Sequence, residues 1–478
     1  MSTEAVSLNA CGGSWPAALE SFTVPGWIGQ QAWWVADPKN SDSAAYNYPL
    51  LLRIRGPLDE QALRSSLDQL IQRHATLRSV FEISDASLRQ VVLGEYACPF
   101  KLVDLTGLDE SERDNAAREI VETEAETPFQ LSEEIPFRAV LLRLERELHE
   151  LLMVTHHLAY DDWSNGVLIE ELSALYAAFA AKQASPLPDL PVQYGDFVRW
   201  SARRMTGQEL AANIDFWRNQ LGDGATFHHV RPDSVGADFG HDSRNDVKRG
   251  ARAKIVIAEK LTSVLNRWSR EHRASLFMTL TAGFQSLMHR YSGDEDIAVG
   301  TCVANRQQMQ LEKLIGRFGN HLVIRTSMAG NPSFLEVQQR VREASLTAYG
   351  YEEMPFADVL RAVRPDGDSR CDRVLQTMFV LQNAPKGAWQ IPGLDVTWRP
   401  VNRRTARYDL TVWLRNSETI DITLEYNANL FQRATIERIL NGYSEILEEM
   451  VEHPHAPVSK ARVMPMVDSV RPAATAGL

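Results

Sequence analysis

Between Leu151 and Leu168 the chain reads LLMVTHHLAYDDWSNGVL, an apolar run followed by His156, His157, Asp161 and Asp162 and then by a helix-like pattern. Histidine is the side chain whose ordinary titration range suits proton transfer near neutral pH, so either imidazole is a candidate general base. If Leu151 to His157 forms a strand, neighbouring side chains face opposite sides of the sheet, and the two histidines cannot serve one site together. His157, where the strand turns into a loop, is the better base; His156 is the better buried, hydrogen-bonded partner. Asp161 lies within reach of that loop and could orient it. A zinc site needs three or four convergent ligands, and this stretch offers at most two on one side. The remaining alternative is a hydrogen-bonded core histidine beside a capped helix.

The elements that must hold these residues are legible as patterns. LLLRIRG from Leu50 predicts a strand, LDEQALRSSLDQLIQRHATL (58–77) an amphipathic helix, and SVFEI (79–83) a second strand. RAVLLRLERELHELLMVTHH (138–157) predicts two strands joined by a charged turn. The following helix carries Val167, Leu168, Leu172, Leu175, Tyr176 and Phe179 on one face, with Ser164 as its expected N-cap. The proline-rich SPLPDLPVQYGDF (185–197) reads as a crossing between lobes. A polar, glycine-rich loop is expected at 222–246, before a strand and helix in AKIVIAEKLTSVLNRWSREH (253–272). Strand and helix alternate without a short repeat, which predicts a mixed α/β fold. At 478 residues the chain exceeds one ordinary core, so two lobes are expected, over 22–184 and 185–465, with loosely ordered ends at 1–21 and 466–478.

Composition narrows the function classes. Apolar residues at 44% and charged residues at 23% suit a soluble globular protein, and no apolar run is long enough to span a bilayer. The opening MSTEAVSLNACGGSWP lacks a basic region followed by an apolar segment, so a cytoplasmic location is expected. Cys11, Cys98, Cys302 and Cys371 are widely separated, without a CxxC pair, and read as reduced and structural. A net charge of −12 argues against a general grip on nucleic acid. The local basic groups Arg403, Arg404 and Arg407, and Lys248, Arg249 and Arg252, read as solvated surface that could meet an acidic partner.

HHLAYDD (156–162) resembles the HHxxxDG motif of condensation domains of nonribosomal peptide synthetases, within the chloramphenicol acetyltransferase-like superfamily. Its companions occur in order. RHATLRSVF (73–81) is similar to RHExLRTxF, YGDFVRW (194–200) to YxDYAxW, IAVGTCVANR (297–306) to VGxPxxxR, and IGRFGNHLVIR (315–325) to IGxFVNTLxxR. MPFADVL (354–360), FVLQNAP (379–385) and RYDLTV (407–412) resemble PFExLV, FxxQN and RFDL. The resemblance covers roughly residues 22 to 460. It implies an α/β fold of the α+β sandwich type, a pseudo-dimer of two acetyltransferase-like lobes in a V with a central tunnel.

The resemblance also implies an acyltransferase. A donor acyl group on the phosphopantetheine of a carrier protein meets an amine or alcohol beside His157 and forms an amide or ester. Asp161 is then expected to pair with Arg306, Arg78 to be a structural or tunnel arginine, and Asn320 to shape the site. No tightly bound cofactor or metal is implied; the partners are acyl or peptidyl carrier proteins of a peptide synthetase or polyketide synthase, with a free or carrier-bound acceptor. No nucleic acid or membrane is expected, and the protein is expected to be a monomer. Two departures stand out: Asp162 replaces the motif's glycine, and YEEM before Pro355 lacks the usual His-Gln-Asp-Tyr. Relatives that lost catalysis and recruit partner enzymes carry a DD at this place, but they tend to lose the second histidine, which is kept here. With no adenylation signature after residue 460 and no GGxS-type serine, a free-standing enzyme that ends a biosynthetic line by chain release is expected. The alternatives are a coenzyme A-dependent acyltransferase and a noncatalytic recruitment module.

Overall fold

The computed structural model describes residues 18–24, 41–84, 87–204, 206–222, 227, 229–233, 249–363, 375–384, 387, 389, 391, 393–401 and 405–463. In chain order the first elements are β1 (Ala18–Val24), β2 (Asn47–Arg55), α1 (Glu60–Arg73), β3 (Ser79–Ser84), β4 (Ser87–Leu93), β5 (Phe100–Asp104), α2 (Glu110–Glu126), β6 (Phe137–Glu145), β7 (Leu148–His156), α3 (Ser164–Ala180) and α4 (Tyr194–Arg204). Then follow α5 (Gly207–Leu221), β8 (Gly250–Ile257), α6 (Glu259–Glu271), α7 (Leu276–Ser292), β9 (Asp296–Val303), β10 (Asn320–Ser327), α8 (Phe334–Tyr349), α9 (Phe356–Val363), β11 (Thr377–Leu381), β12 (Asp395–Arg399), β13 (Leu410–Asn416), β14 (Ile420–Asn427) and α10 (Arg433–Glu452). The mixed α/β class expected from the sequence is the one found.

The chain forms two compact units, and neither is a continuous stretch. The first comprises residues 1–206, 306–319 and 384–403; the second comprises the rest. This division differs from a single break at residue 185, and packing explains why. Leu311, Leu314 and Phe318 bury themselves against Tyr194, Phe197 and Val198 of α4, while β12 adds itself to β2 as an antiparallel edge strand.

In the first unit a five-stranded sheet runs in the order β12-β2-β7-β6-β5, beside a three-stranded sheet β1-β4-β3. The middle strands are apolar on both faces, as a sheet covered on both sides requires. Leu50, Leu52, Met153 and Leu151 face α1 and α3; Leu51, Leu152, Val154 and Val140 face α2. Asp59 and Asp109 cap α1 and α2, each accepting a backbone N–H at 2.9 Å. The apolar stripe predicted for α3 lies in the first of these cores, with Phe179 at its margin. The predicted cap is corrected: Ser164 is the first residue inside α3 and makes no cap bond there. Asp161 instead receives Ser164 N at 3.0 Å and Ser164 Oγ at 2.7 Å. A carboxylate three residues upstream reaches the open N–H and also suits the positive end of the helix dipole.

In the second unit a six-stranded sheet runs β10-β9-β11-β13-β14-β8, with α7 packed against α8 and α10. The strand and helix expected within 253–272 are β8 and α6. Arg252 pairs with Glu425 at 2.5 Å across β8 and β14, so its charge is matched and not merely solvated. Arg403, Arg404, Lys248, Cys11, Cys371, most of the predicted loop 222–246 and the ends 1–17 and 464–478 lie outside the described residues. Cys98 is buried and Cys302 exposed.

Gly56, just after β2, has φ +120°, and a Cβ there would meet the Gly393 carbonyl oxygen on the approach to β12. Gly56→Ala is therefore expected to cost about 1–3 kcal/mol, read as a lower urea midpoint of unfolding.

Candidate active site

His157 follows β7 directly and is half-buried, whereas His156, its last residue, is 1% exposed. Strand alternation sends them to different surroundings. The His156 ring lies edge-on to Phe129 of the α2-side core, with centroids 6.0 Å apart. The His157 ring stacks with Tyr48 of β2 at 6.1 Å and 24°, on the α1/α3 side.

Hydrogen bonding gives the two rings opposite proton placements. His157 Nδ1 lies 2.7 Å from the Tyr160 carbonyl oxygen. A carbonyl only accepts, so Nδ1 carries the hydrogen and the basic electron pair of neutral His157 sits on Nε2. His156 Nδ1 accepts Leu158 N–H at 3.2 Å, which places its hydrogen on Nε2. Of the pair, His157 is the more accessible, and it is held from three directions: by the Tyr160 carbonyl, by Tyr48, and through its backbone N–H to Tyr46 O at 2.8 Å.

Asp161 is the centre of the loop. Its Oδ1 takes both bonds from Ser164 and one from Arg306 Nη2 at 3.0 Å; its Oδ2 takes Arg306 Nη2 at 3.2 Å, Phe318 N at 3.0 Å and Gly319 N at 3.4 Å. The Arg306 side chain is 1% exposed. Its Nη1 donates to Leu311 O at 2.5 Å and Leu314 O at 2.7 Å, and its guanidinium lies 4.0 Å from the Phe318 ring centroid. Burial pulls the Arg306 guanidinium below its ordinary range and the Asp161 charge opposes that fall. The structure thus brings Asp161 and Arg306 together.

The other expected residues each have their own partners. Arg78 donates to Gln72 O at 3.2 Å and to Leu93 O, tying the end of α1 to β4. Asn320, in the second unit, donates to Glu352 O at 2.8 Å and Met354 O at 2.7 Å, and accepts from His321 N and Phe356 N. Those four bonds occupy both donors and both lone pairs of its amide, so it shapes the chain around it. Asp162 accepts from Tyr48 Oη and from Asn165 Nδ2, the latter at 3.1 Å. Among the described residues no three His, Cys, Asp or Glu side chains gather as a metal ion would need.

Sequence reasoning passed over Tyr48, Asn165, His74 and Glu171. Asn165 had a signal, its i, i+3 spacing from Asp162 on a helical start. His74 and Arg73 belong to the RHATLRS segment: His74 Nε2 and Arg73 Nε bond Glu171 at 2.7 and 3.0 Å, while His74 Nδ1 accepts Ile315 N–H at 3.3 Å. Tyr48 had none, being 114 residues from Asp162.

Two stability tests follow. Burial raises the Glu171 carboxyl, but the bonds from His74 and Arg73 and the arginine's charge outweigh it and set it below the ordinary 4.5. A depressed carboxyl stabilises the folded state above about pH 4.5 and loses that contribution as pH falls through its folded value. Glu171→Gln should remove this part of the acid dependence and lower stability at pH 7, as measured by urea unfolding across pH. Arg306→Ala leaves Asp161 buried without its cation and is expected to cost about 3–5 kcal/mol in the same assay.

Comparison with known proteins places these observations in a family. Residues 27–469 match the model described as Condensation domain. The chain is 35% identical over 449 residues to a linear gramicidin synthase of Brevibacillus parabrevis, covering 93% of this chain but only 8% of that protein. Among solved structures, SgcC5 of Streptomyces globisporus is 26% identical, with a TM-score of 0.72 over 90% of this chain and 99% of that one. The X-domain from teicoplanin biosynthesis, at 24% identity, shares the fold with a TM-score of 0.82 over 95% of this chain and all of its own. A loop built around His156, His157 and Asp161, a fold shared with these structures and a family match over nearly the whole length together show that this chain belongs to the condensation domain family.

Proposed function

We propose that the protein transfers an acyl, peptidyl or polyketidyl group from a carrier-protein phosphopantetheine thioester to an amine or alcohol, forming an amide or ester. In this reading the acceptor's nitrogen or oxygen attacks the thioester carbonyl and His157 Nε2 takes the proton that is released. The tetrahedral intermediate then collapses, the C–S bond breaks, and the proton passes to the departing phosphopantetheine thiolate. The observation that carries the reading is the bond from His157 Nδ1 to the Tyr160 carbonyl, which leaves the basic pair on Nε2 of a half-buried ring. The solved SgcC5 structure contains a bound diol, (R)-(-)-1-(2-naphthyl)-1,2-ethanediol, which supports an alcohol among the acceptor classes. Closing a biosynthetic line by capping a carrier-bound chain, as in antibiotic biosynthesis, fits this chemistry.

Magnitudes assign the parts. Aligning two bound reactants removes roughly 7–11 kcal/mol of barrier, whereas a positioned base contributes about 10²–10⁴-fold. A thioester is already activated, so a free amine needs the base less than an alcohol does.

The test is intact-protein mass spectrometry of acyl-loaded carrier proteins with panels of amines and alcohols, run with wild type and His157→Ala. Loss of the acyl mass with a matching product is expected, slowed about 10²–10⁴-fold by the substitution and more severely for alcohols. Equal turnover of acyl-coenzyme A without a carrier would favour the coenzyme A reading. An acyl carrier that persists with every acceptor while still binding the protein would favour noncatalytic recruitment.

A further inference from the structure

Asp162 stands where the motif has glycine, and the structure gives its carboxylate specific partners. Tyr48 Oη donates to Asp162 Oδ1, and Asn165 Nδ2 donates to the same oxygen at 3.1 Å. Asn165 Nδ2 also lies 3.3 Å from Tyr48 Oη, and Asn165 Oδ1 accepts from Tyr160 Oη at 3.0 Å. Tyr160 is 1% exposed, and burial, with the neighbouring Tyr48 and carboxylates, drives its phenol well above the ordinary range. It therefore stays a neutral donor, and every bond in the set has one direction: Tyr160 to Asn165, Asn165 to Asp162 and to Tyr48, Tyr48 to Asp162.

The set closes on His157 from two sides. The Tyr160 carbonyl holds Nδ1, and the Tyr48 ring stacks on the imidazole. Glycine at 162 would offer Tyr48 no carboxylate acceptor, removing the bond that ties the tyrosine hydroxyl to residue 162. We propose that Asp162 is a positioning residue for His157, acting through Tyr48 and Asn165, and that its carboxylate also stabilises the imidazolium formed when His157 accepts a proton. This rests on His157 as the base of the proposed reaction. It makes Asp162 a replacement support for the base and not a sign of lost catalysis.

The neighbouring charged and titratable groups act in distinct ways. Asp161 is matched by Arg306. Arg317, from the 306–319 segment, donates to the His157 carbonyl oxygen at 3.4 Å. Tyr48 and Tyr160 complete the set, the latter presenting its carbonyl.

The experiment uses the full chain with Asp162→Asn, Asp162→Gly, Tyr48→Phe and the Tyr48→Phe/Asp162→Gly pair, each checked for a wild-type thermal melt. Two readouts run in parallel: kcat and KM against pH with an acyl carrier and an alcohol, and nitrogen-15 NMR of the His157 imidazole in the resting protein, assigned through His157→Ala. In Asp162→Gly, kcat should fall about 10–100-fold with KM little changed, and both the acidic limb of the rate profile and the His157 titration should move to lower pH by about half a unit or more. Asp162→Asn keeps an oxygen that accepts from Tyr48 but loses the charge, so it should recover most of kcat while keeping the pH displacement. The double variant should lose less than the product of the single losses, because both break the same contact. Wild-type titration and tautomer in Asp162→Gly would overturn the proposal whether or not the protein turns over. If no acyl carrier reacts with any variant yet the His157 titration moves as stated, the positioning role stands and the catalytic reading falls.

Discussion

The ion pair between Asp161 and Arg306 is the constraint on which the rest of the first unit depends. A buried carboxylate and a buried guanidinium each lose several kcal/mol of hydration, and an apolar pair of the same volume would often be as stable. Geometry gives this pair a task that an apolar pair would not perform. One carboxylate collects Ser164 at the start of α3, Arg306, and the backbone N–H groups of Phe318 and Gly319. It therefore fixes where α3 begins, where the β7–α3 loop turns, and how residues 306–319 return from between β9 and β10 to the first unit. The His74–Glu171 contact repeats the device further along α3, with His74 holding Ile315 N–H while Glu171 holds His74. Two buried acids thus anchor one returning segment at separate points.

From that anchor comes the difference between two adjacent imidazoles of identical chemistry. With the loop turned by Asp161, the Tyr160 carbonyl meets His157 Nδ1, and the Leu158 N–H meets His156 Nδ1. One ring has its base at Nε2 on a half-buried surface; the other is packed beside Phe129 with its proton on Nε2. Backbone groups set both tautomers. A backbone carbonyl is also neutral, so it orients His157 without adding the negative charge that a carboxylate partner would. This is why a carboxylate at 162, supplied from the side through Tyr48, has a distinct electrostatic effect to contribute.

Much of this was legible in the sequence, and the remainder was hidden for identifiable reasons. The strands β2, β6 and β7 and helices α1 and α3 follow from local periodicity, which reports directly on burial. The opposite faces of His156 and His157 follow from strand alternation alone. The cap of α3 did not, because serine and aspartate are both good caps and only backbone angles decide which lies outside the helix. Nor did the discontinuous units: Leu311, Leu314 and Phe318 have an unremarkable local pattern, and what draws them to α4 is a partner more than a hundred residues distant in the chain. Tyr48 was missed for the same reason, since a cross-sheet neighbour leaves no local trace.

The motifs that carry the family resemblance also hold less chemistry than their number suggests. Arg73 and His74 hold Glu171; Arg78 holds two main-chain carbonyls; Tyr194 Oη donates to Arg317 O at 2.9 Å; Arg306 holds Asp161 and two carbonyls; Asn320 has every amide position filled. Groups so occupied satisfy the backbone polar groups of irregular, buried segments, which need a partner from some side chain. A complete motif series therefore certifies the scaffold. The proposed reaction rests on the Nε2 of His157, with the cluster of Tyr48, Asp162 and Asn165 beside it. The chain departs from the motif within that cluster, at residue 162, while Asp161 and Arg306 are kept. In the proposed reaction, a change placed against His157 with the anchor intact alters how the histidine is held and charged without loosening the loop that presents it.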